Sequence, residues 1–220
     1  MAVHGDVVYV LNARDGGSIQ GYRSIGSLLA PIPTWHRALG LDPNATPEFL
    51  TTLGQVAFTP EGGKLLVTTK GNTGAIEVFD VNALGGASLH PVVTSLPGAV
   101  RFAATVDSVG NLAVTEAGPS AVAIFRVNDD STLTQVSSIA TGEAATCWIV
   151  RVGDTLYASN AGSGTLSEVR DAPGEPLALL GTVATDSGTV DAAASSDGTL
   201  TRVGSVSVPG AVGGEGIVAG

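Results

Sequence analysis

The sequence predicts an all-β protein built from a repeated four-stranded unit, and three observations carry this prediction. The first is composition: 30 of the 220 residues are Gly, and Val, Thr and Ser outnumber the helix-forming Glu, Lys, Gln and Met. The second is an internal repeat with a period of about 45 residues. The third is turn chemistry, because Gly, Asp and Asn recur between short apolar segments at matching points of each copy.

The repeat is clearest when its copies are aligned on the third apolar segment. Phe79 and Phe125 are 46 residues apart, and Phe125 and Val169 are 44 apart. Each copy contains an inner strand, a second strand, a third strand and an outer strand such as residues 132–136, separated by Gly, Asp or Asn turns. Four short strands per period of this length are typical of a β-propeller blade.

Both ends of the chain depart from the full repeat. Residues 7–11 and 18–22 form an earlier copy, which we expect to begin at its second strand. A last copy starts like an inner strand at residues 190–194 and resumes like an outer strand at 199–206, so its two middle strands are missing. Residues 215–218 are a candidate inner strand, which we expect to pair with residues 7–10 and complete the first blade.

A β-sandwich is the alternative fold, since it also has short strands with frequent turn signals. A sandwich does not repeat its turn chemistry at this period. The sequence therefore predicts one β-propeller domain over residues 1–220, with about four to five blades in a partial or open ring.

Charge and composition exclude several classes of partner and site. Ten Lys and Arg against twenty Asp and Glu give a formal charge of −10, which repels nucleic acid and anionic lipid. The single Cys147 and three scattered His residues do not supply a disulfide or a zinc site, so we expect no metal. No apolar run approaches the roughly 20 residues of a membrane helix, so we expect a soluble protein.

The first six residues lack the basic and apolar regions of a secretory signal. We therefore expect a cytoplasmic protein if this start is native. The oligomeric state and the compartment stay open.

Four segments carry family marks: Phe-Thr-Pro-Glu-Gly at 58–62, Val-Thr-Glu-Ala-Gly at 114–118, Ser-Asn-Ala-Gly-Ser-Gly-Thr at 159–165 and Asp-Ala-Ala-Ala-Ser-Ser-Asp-Gly at 191–198. Together with the repeat, they resemble the lactonase-type seven-bladed β-propellers, which include bacterial 6-phosphogluconolactonases and fungal carboxymuconate-lactonizing enzymes. The resemblance spans nearly the whole chain. Because seven such blades need roughly 300 residues, it implies the C-terminal part of a propeller with a damaged last blade.

Polar residues follow the second strand of each copy. The repeat places Lys70, Glu116 and Asn160 at one equivalent position, with Asn12 within one residue of it. Propeller ligands bind at the mouth of the central channel, so these side chains are predicted to form a polar ring there. The alternative is that they are ordinary turn residues.

Arg101 starts an inner strand, and its expected counterparts are Gln55 and either Thr146 or Cys147. The resemblance implies that Arg101 and Glu116 face the same cleft, with a one-residue offset from the family pattern. A guanidinium can hold a carboxylate or phosphate through two hydrogen bonds. Glu116 would then act as general base or acid in opening or forming a lactone. The alternative is a plain salt bridge between Arg101 and Glu116.

Residues 24–54 lengthen the first interval, so that Tyr22 and Phe79 are 57 residues apart. Long loops often serve as lids or binding loops. Trp35, His36 and Arg37 are therefore candidates to close over the channel, with His36 available for proton transfer. The alternative is a surface excursion with Trp35 packed on a blade edge.

Two functions follow. The first is a lactonase or lactonizing cyclase acting on a phosphorylated or carboxylated lactone or sugar acid, without a cofactor or metal. Its catalytic candidates are Arg101 and Glu116, and its substrate-binding candidates are Lys70, Asn160, Asn12, Gln55 and His36. The second is a non-catalytic propeller that acts as a binding scaffold, or an inactive fragment of a lactonase.

Overall fold

The computed structural model describes residues 1–71, 74–186, 188, 189 and 192. This part of the chain folds into four antiparallel four-stranded sheets and one short helix. In each sheet the strands are neighbours in chain order, as in the blades of a β-propeller. No helix in these residues is long and apolar enough to cross a membrane.

The first two sheets precede residue 96. The first sheet consists of β1 (Ala2–His4), β2 (Val7–Asn12), β3 (Ser18–Ile25) and β4 (Leu28–Ala38). Helix α1 (Glu48–Thr51) leads into the second sheet, which consists of β5 (Leu53–Phe58), β6 (Lys64–Thr69), β7 (Ala75–Asp80) and β8 (Val92–Ser95).

The third and fourth sheets repeat this pattern. The third consists of β9 (Arg101–Val106), β10 (Leu112–Glu116), β11 (Ala121–Val127) and β12 (Leu133–Ala140). The fourth consists of β13 (Thr146–Val152), β14 (Thr155–Asn160), β15 (Thr165–Arg170) and β16 (Ala178–Ala184).

Burial follows the position of a strand within its sheet. All five residues of β10 are buried, whereas every residue of the outer strand β12 is half-buried or exposed. A short apolar run predicts a strand covered on both faces. Residues 112–114 are such a run, so the burial of this strand was predictable from the sequence.

Contacts divide the chain into two compact units. The first contains Met1–Phe102 and Val127–Thr134, and its core includes Tyr9, Ile19 and Phe79. The second contains Ala103–Arg126 and the described residues from Gln135 on. Its core residues are Ala103, Ala113, Val122, Ile124, Ile149, Leu156, Ala158 and Val169.

The predicted fold class and blade pattern are confirmed, but one prediction about the first blade is wrong. The first copy does not begin at its second strand, because β1 supplies an inner strand in which Val3 pairs with Val8. Residues 215–218, which were expected to complete this blade by pairing with 7–10, lie outside the described residues. In the described chain, β1 and β3 pair with the two edges of β2. The last copy at 190–206 also lies outside the described residues, except for residue 192.

Residues 24–54 were expected to be either a lid over the channel or a surface excursion with Trp35 packed on a blade edge. They do not form one long loop, and the packing of Trp35 agrees with the second alternative. Leu28–Ala38 is the outer strand of the first blade, and Glu48–Thr51 is helical. An edge strand tolerates Pro31 and Pro33 because their missing N–H groups face no further strand. Trp35 stacks on Tyr9 with 6.2 Å between ring centroids, so it belongs to the blade packing.

Candidate functional site

The second strand of every blade ends at a polar residue. Each second strand contains one residue that pairs with the third-strand residue used to align the repeat: Val8, Leu65, Leu112 and Leu156. Four positions later each strand ends, at Asn12, Thr69, Glu116 and Asn160. The polar position predicted from the repeat therefore exists in all four described blades.

The placement of Lys70 in that position is wrong by one residue. The register puts Thr69 level with Glu116, and Lys70 follows directly after β6. The cause is the hairpin after β6, which is one residue longer than the hairpin after β10. Because the copies were aligned on the third strand, this extra residue placed Lys70 instead of Thr69 at the polar position. The same difference in the first blade placed Asn12 one residue away from that position.

A buried hydroxyl precedes this position in three blades and fixes the register of the inner strand. The backbone N–H groups of Gln55, Ala103 and Trp148 donate to Thr68, Thr115 and Ser159, respectively, at 2.8–3.1 Å. Counting two residues back along each inner strand gives the equivalent set Leu53, Arg101 and Thr146. Thr146 is thus the correct counterpart of Arg101 in the fourth blade, whereas Leu53 takes the place expected for Gln55.

The two buried cations of the first unit have different surroundings. Arg101 is 1% exposed, and its Nη1 donates to the carbonyl oxygens of Gly74 at 2.9 Å and Thr94 at 3.2 Å. Lys70 is 5% exposed, and its Nζ lies 4.4 Å from the centroid of the Phe102 ring. Such a cation–π contact stabilises a partly desolvated ammonium. Binding of an acidic ligand by either residue stays a prediction.

In the second unit, Asn160 is completely buried and both N–H groups of its amide are used. Its Oδ1 accepts a hydrogen bond from the Thr146 hydroxyl at 2.8 Å, and its Nδ2 donates to Thr165 and Ser167 at 3.0 and 2.8 Å. Asn160 therefore has the bonds of a structural residue, and any ligand that accepts from its Nδ2 would have to replace one of them.

Glu116, which ends β10 and pairs with Ala121, is 4% exposed.

The remaining predicted residues lie in three different settings of the first unit. Asn12 is exposed, and its Nδ2 is 3.4 Å from the Ser18 hydroxyl. His36 is exposed and lies on strand β4, where it pairs with Gln20, so it is not part of a lid. Gln55 is half-buried on β5. Their roles in binding stay predictions.

A pocket of about 350 Å³ in the first unit was missed by the sequence analysis. Its walls are the β2–β3 turn, the segment after β4 and the end of α1. It is lined by Ala13, Arg14, Asp15, Gly16, Leu41, Asp42, Pro43, Asn44, Ala45, Thr46, Thr51 and Thr52. The only sign of this pocket in the sequence was the charged pair Arg14 and Asp15, which follows the end of β2 at Asn12. The opposite wall comes from residues about 30 positions further along the chain, so the pocket could not be assembled from the sequence.

A smaller pocket of about 210 Å³ in the second unit contains several carboxylates. Asp107 accepts hydrogen bonds from its own turn, from the N–H groups of Val109 and Asn111. Burial, followed by the nearby Asp107 charge, raises the pKa of Asp171. In the described chain, no three His, Cys, Asp or Glu side chains are arranged to hold a metal ion.

Comparison with solved structures identifies the fold. A protein from Lactobacillus plantarum superposes with a TM-score of 0.70 at 19% identity, over 90% of this chain and 60% of that one. A candidate 6-phosphogluconolactonase from Bacteroides uniformis superposes with a TM-score of 0.67 at 16% identity, over 88% and 59%. The chain has a lactonase-like β-propeller fold.

This lactonase-like propeller spans about three fifths of the length of these two structures. A chain of a mitotic checkpoint complex also superposes, with a TM-score of 0.65 at 14% identity, over 90% of this chain and 55% of that one. No family model matches the sequence, and no curated protein matches it. Likeness at these identities establishes the fold, and function has to be argued from the residues.

Proposed function

We propose that this propeller hydrolyses or forms the lactone of an acidic small molecule, with Glu116 as the proton carrier. The observation that carries the proposal is the residue type at the end of the second strand. The other three blades have Asn12, Thr69 and Asn160 there, so the blade itself does not require a carboxylate. Of these four side chains, only the Glu116 carboxylate can act as a general base, and it is 4% exposed.

The chemistry follows from the acid–base properties of a carboxylate. In hydrolysis, the Glu116 carboxylate takes a proton from the water that attacks the lactone carbonyl carbon. It returns this proton to the ring oxygen when the C–O bond breaks, so the product is a hydroxy acid and Glu116 is regenerated. Lactone formation is the reverse sequence.

Arg101 and Lys70 are the proposed partners of the substrate's acid group. A guanidinium matches the two oxygens of a carboxylate or phosphate, and an ammonium supplies a point charge. Lactonase-like neighbours support the acidic lactone as the substrate class. Each of these two roles can be tested separately from the role of Glu116.

The test is lactone hydrolysis followed by pH-stat, with glucono-1,5-lactone and its 6-phosphate as substrates and the spontaneous rate subtracted. Glu116→Gln keeps the shape of the side chain and should lower kcat by roughly 10²-fold or more. Glu168→Gln, on β15 of the same unit, is the matched control and should retain the wild-type rate. Lys70→Met should raise KM for the phosphorylated lactone more than for the neutral one.

Two results would overturn the proposal. Equal rates for wild type and Glu116→Gln would remove Glu116 as the proton carrier. A wild-type rate no faster than the spontaneous rate, with both lactones, would favour the alternative of a non-catalytic scaffold or an inactive fragment. The likeness to a chain of a mitotic checkpoint complex supports the scaffold alternative.

A further inference from the structure

The pocket lined by Arg14, Asp42 and Thr52, called here the Arg14 pocket, does not include Arg101, Glu116 or Lys70 in its lining, although the Lys70 N–H donates to the carbonyl oxygen of Thr52 at 2.8 Å. It lies wholly within the first compact unit. Its volume of about 350 Å³ is at the lower end of the range of roughly 300–1,000 Å³ for small-molecule sites. A single ring or a short chain would fit this size.

Backbone hydrogen bonds fix the first wall of the pocket. The N–H groups of Leu39 and Leu41 donate to the carbonyl oxygens of Gly17 and Gly16 at 2.9 and 2.8 Å, which ties the β2–β3 turn to the segment after β4. Gly16 has φ +83°, and a Cβ there would lie 2.7 Å from the carbonyl oxygen of Leu41. The close approach of these two segments therefore requires glycine at this position.

Side-chain hydrogen bonds fix the opposite wall. Asp42 Oδ1 accepts from the N–H of Asn44 at 2.9 Å, which closes a turn of the Asx type. The Thr51 hydroxyl donates to the carbonyl oxygens of Ala45 and Pro47 at 3.1 and 3.0 Å. Both walls are thus formed without a ligand, which reduces the entropy cost of binding.

The lining combines hydrogen-bond donors and acceptors with small apolar surfaces. Within the described chain, the Arg14 guanidinium has no hydrogen-bond or ion-pair partner, so its donors are available. Asp15 and Asp42 supply acceptors, and Asn44 supplies both kinds of group. Ala13, Leu41 and Pro43 add apolar surface.

Charge limits the ligand further. Two carboxylates and one guanidinium give the lining a net charge of −1, which disfavours an anionic ligand. Hydroxyl groups donate to carboxylates and accept from a guanidinium, so a neutral ligand with several hydroxyls offers partners to both kinds of side chain. We propose that the Arg14 pocket binds a sugar-class ligand: a neutral polyhydroxylated molecule of one-ring size.

Ligand-observed saturation-transfer NMR tests the proposal directly, with D-glucose, D-galactose and inorganic phosphate as probes. We expect saturation transfer to glucose and galactose at ~10 mM and weakening of about 10-fold in Arg14→Ala. Arg151→Ala, which removes an exposed arginine of the second unit, is the control and should bind like wild type. No transfer to either sugar in the wild type would overturn the proposal, as would displacement of both by phosphate alone.

A second measurement guards against unfolding of the variants. In wild-type protein, D-glucose should shift the backbone amide resonances of residues 13–16 and 41–46 and leave those of 155–170 unchanged. Shifts confined to other regions would overturn the proposed site. Because the readout is binding, loss of sugar binding with intact lactone hydrolysis would contradict the Arg14 pocket and leave the proposed reaction standing.

Discussion

The hydroxyl of Thr68 links two sheets. It donates to the carbonyl oxygen of Phe102 at 2.8 Å and accepts from the backbone N–H of Gln55 at 2.8 Å. The Thr68 hydroxyl thus bonds β5, the inner strand of its own sheet, where the pairing with β6 is irregular. It also bonds β9, the inner strand of the following sheet. We call this arrangement the hydroxyl bridge.

The second unit contains the same bridge. Thr115 accepts from the N–H of Ala103 at 3.1 Å and donates to the carbonyl oxygen of Cys147. Because the bridge occurs in both compact units, it is a property of the repeat rather than a local accident. Thr68 and Thr115 are 1% and 0% exposed, so both hydroxyls are shielded from water.

Replacement of Thr68 by Val tests the bridge. Val keeps the shape of the side chain but leaves the N–H of Gln55 and the carbonyl of Phe102 without this partner. The free energy of unfolding should fall by about 1–3 kcal/mol in urea denaturation. Thr68→Ser should recover most of the loss, and Thr182→Val, at an exposed position of β16, should change stability by less than about 0.5 kcal/mol. Equal stability of Thr68→Val and wild type would show that the bridge contributes nothing.

Gly54 allows the same two strands to approach each other. A Cβ at this position would collide with the carbonyl oxygen of Phe102 and with the Thr68 hydroxyl, and would lie 2.7 Å from the carbonyl oxygen of Arg101. Since backbone has to move to relieve such a collision, we expect Gly54→Ala to cost roughly 3 kcal/mol or more, measured by thermal and urea unfolding.

Gly181→Ala is the matched control for this change. Gly181 also lies in a strand, and a Cβ there meets nothing within 4 Å. Its replacement should be neutral or slightly stabilising, because Ala restricts the unfolded chain more than Gly. If Gly54→Ala and Gly181→Ala were equally stable, the close approach of the sheets would not limit residue size.

The blades could be predicted from the sequence because the turn residues and apolar runs that mark their strands are local signals. Turn residues such as Gly110 and short apolar runs such as residues 112–114 mark strands without reference to the rest of the chain. The inner strand Ala2–His4 was missed because three residues give too short a pattern to read. Leu28–Ala38 was missed as a strand because its prolines are typical of loops, and only its edge position permits them.

The candidate site was less predictable because it depends on register and on distant segments. A one-residue difference in hairpin length displaced Lys70, and an irregular pairing near Gln55 displaced the counterpart of Arg101. The Arg14 pocket joins segments that are far apart in the chain. Periodicity within strands carries no information about such contacts.

An ion pair between the two middle strands of the second sheet, β6 and β7, should make stability depend on pH. Lys64 Nζ lies 2.9 Å from Asp80 Oδ1 and 2.6 Å from the Ser131 hydroxyl, and that hydroxyl also donates to Asp80 at 2.6 Å. The hydrogen bond from Ser131, followed by that from Lys64, lowers the pKa of Asp80. Its stabilisation is therefore present above the unfolded pKa of the carboxyl and is lost as pH falls through the lower folded value.

Asp80→Asn should therefore destabilise the protein at pH 7 and have less effect below pH 3. The loss should be only about 0.5–1 kcal/mol, because the Asp80 side chain is 66% exposed and water screens the pair. Asp6→Asn removes a carboxylate from another exposed ion pair, with Arg23, and is the comparison. A loss for Asp80→Asn that is the same at pH 3 and pH 7 would contradict the role of its charge.

Glu77 should give the opposite pH dependence. It lies on β7 between Val67 and Val93, is 8% exposed, and has no hydrogen-bond partner within the described chain. Burial raises the pKa of its carboxyl to about 7. A raised pKa means that the folded state favours the protonated form, so its contribution to stability is full below the unfolded pKa and is lost as pH rises through about 7.

Glu77→Gln removes this titration while keeping the shape of the side chain. We expect the variant to be more stable than wild type by roughly 1–3 kcal/mol at pH 8.5, where the wild type buries a charge. The difference should shrink steadily as pH falls toward 5, because both proteins are then neutral at this position. Urea denaturation at pH 5, 7 and 8.5 measures it, and Glu61→Gln, at an exposed turn, should show no such trend. Parallel pH profiles for wild type and Glu77→Gln would mean that Glu77 reaches water in solution.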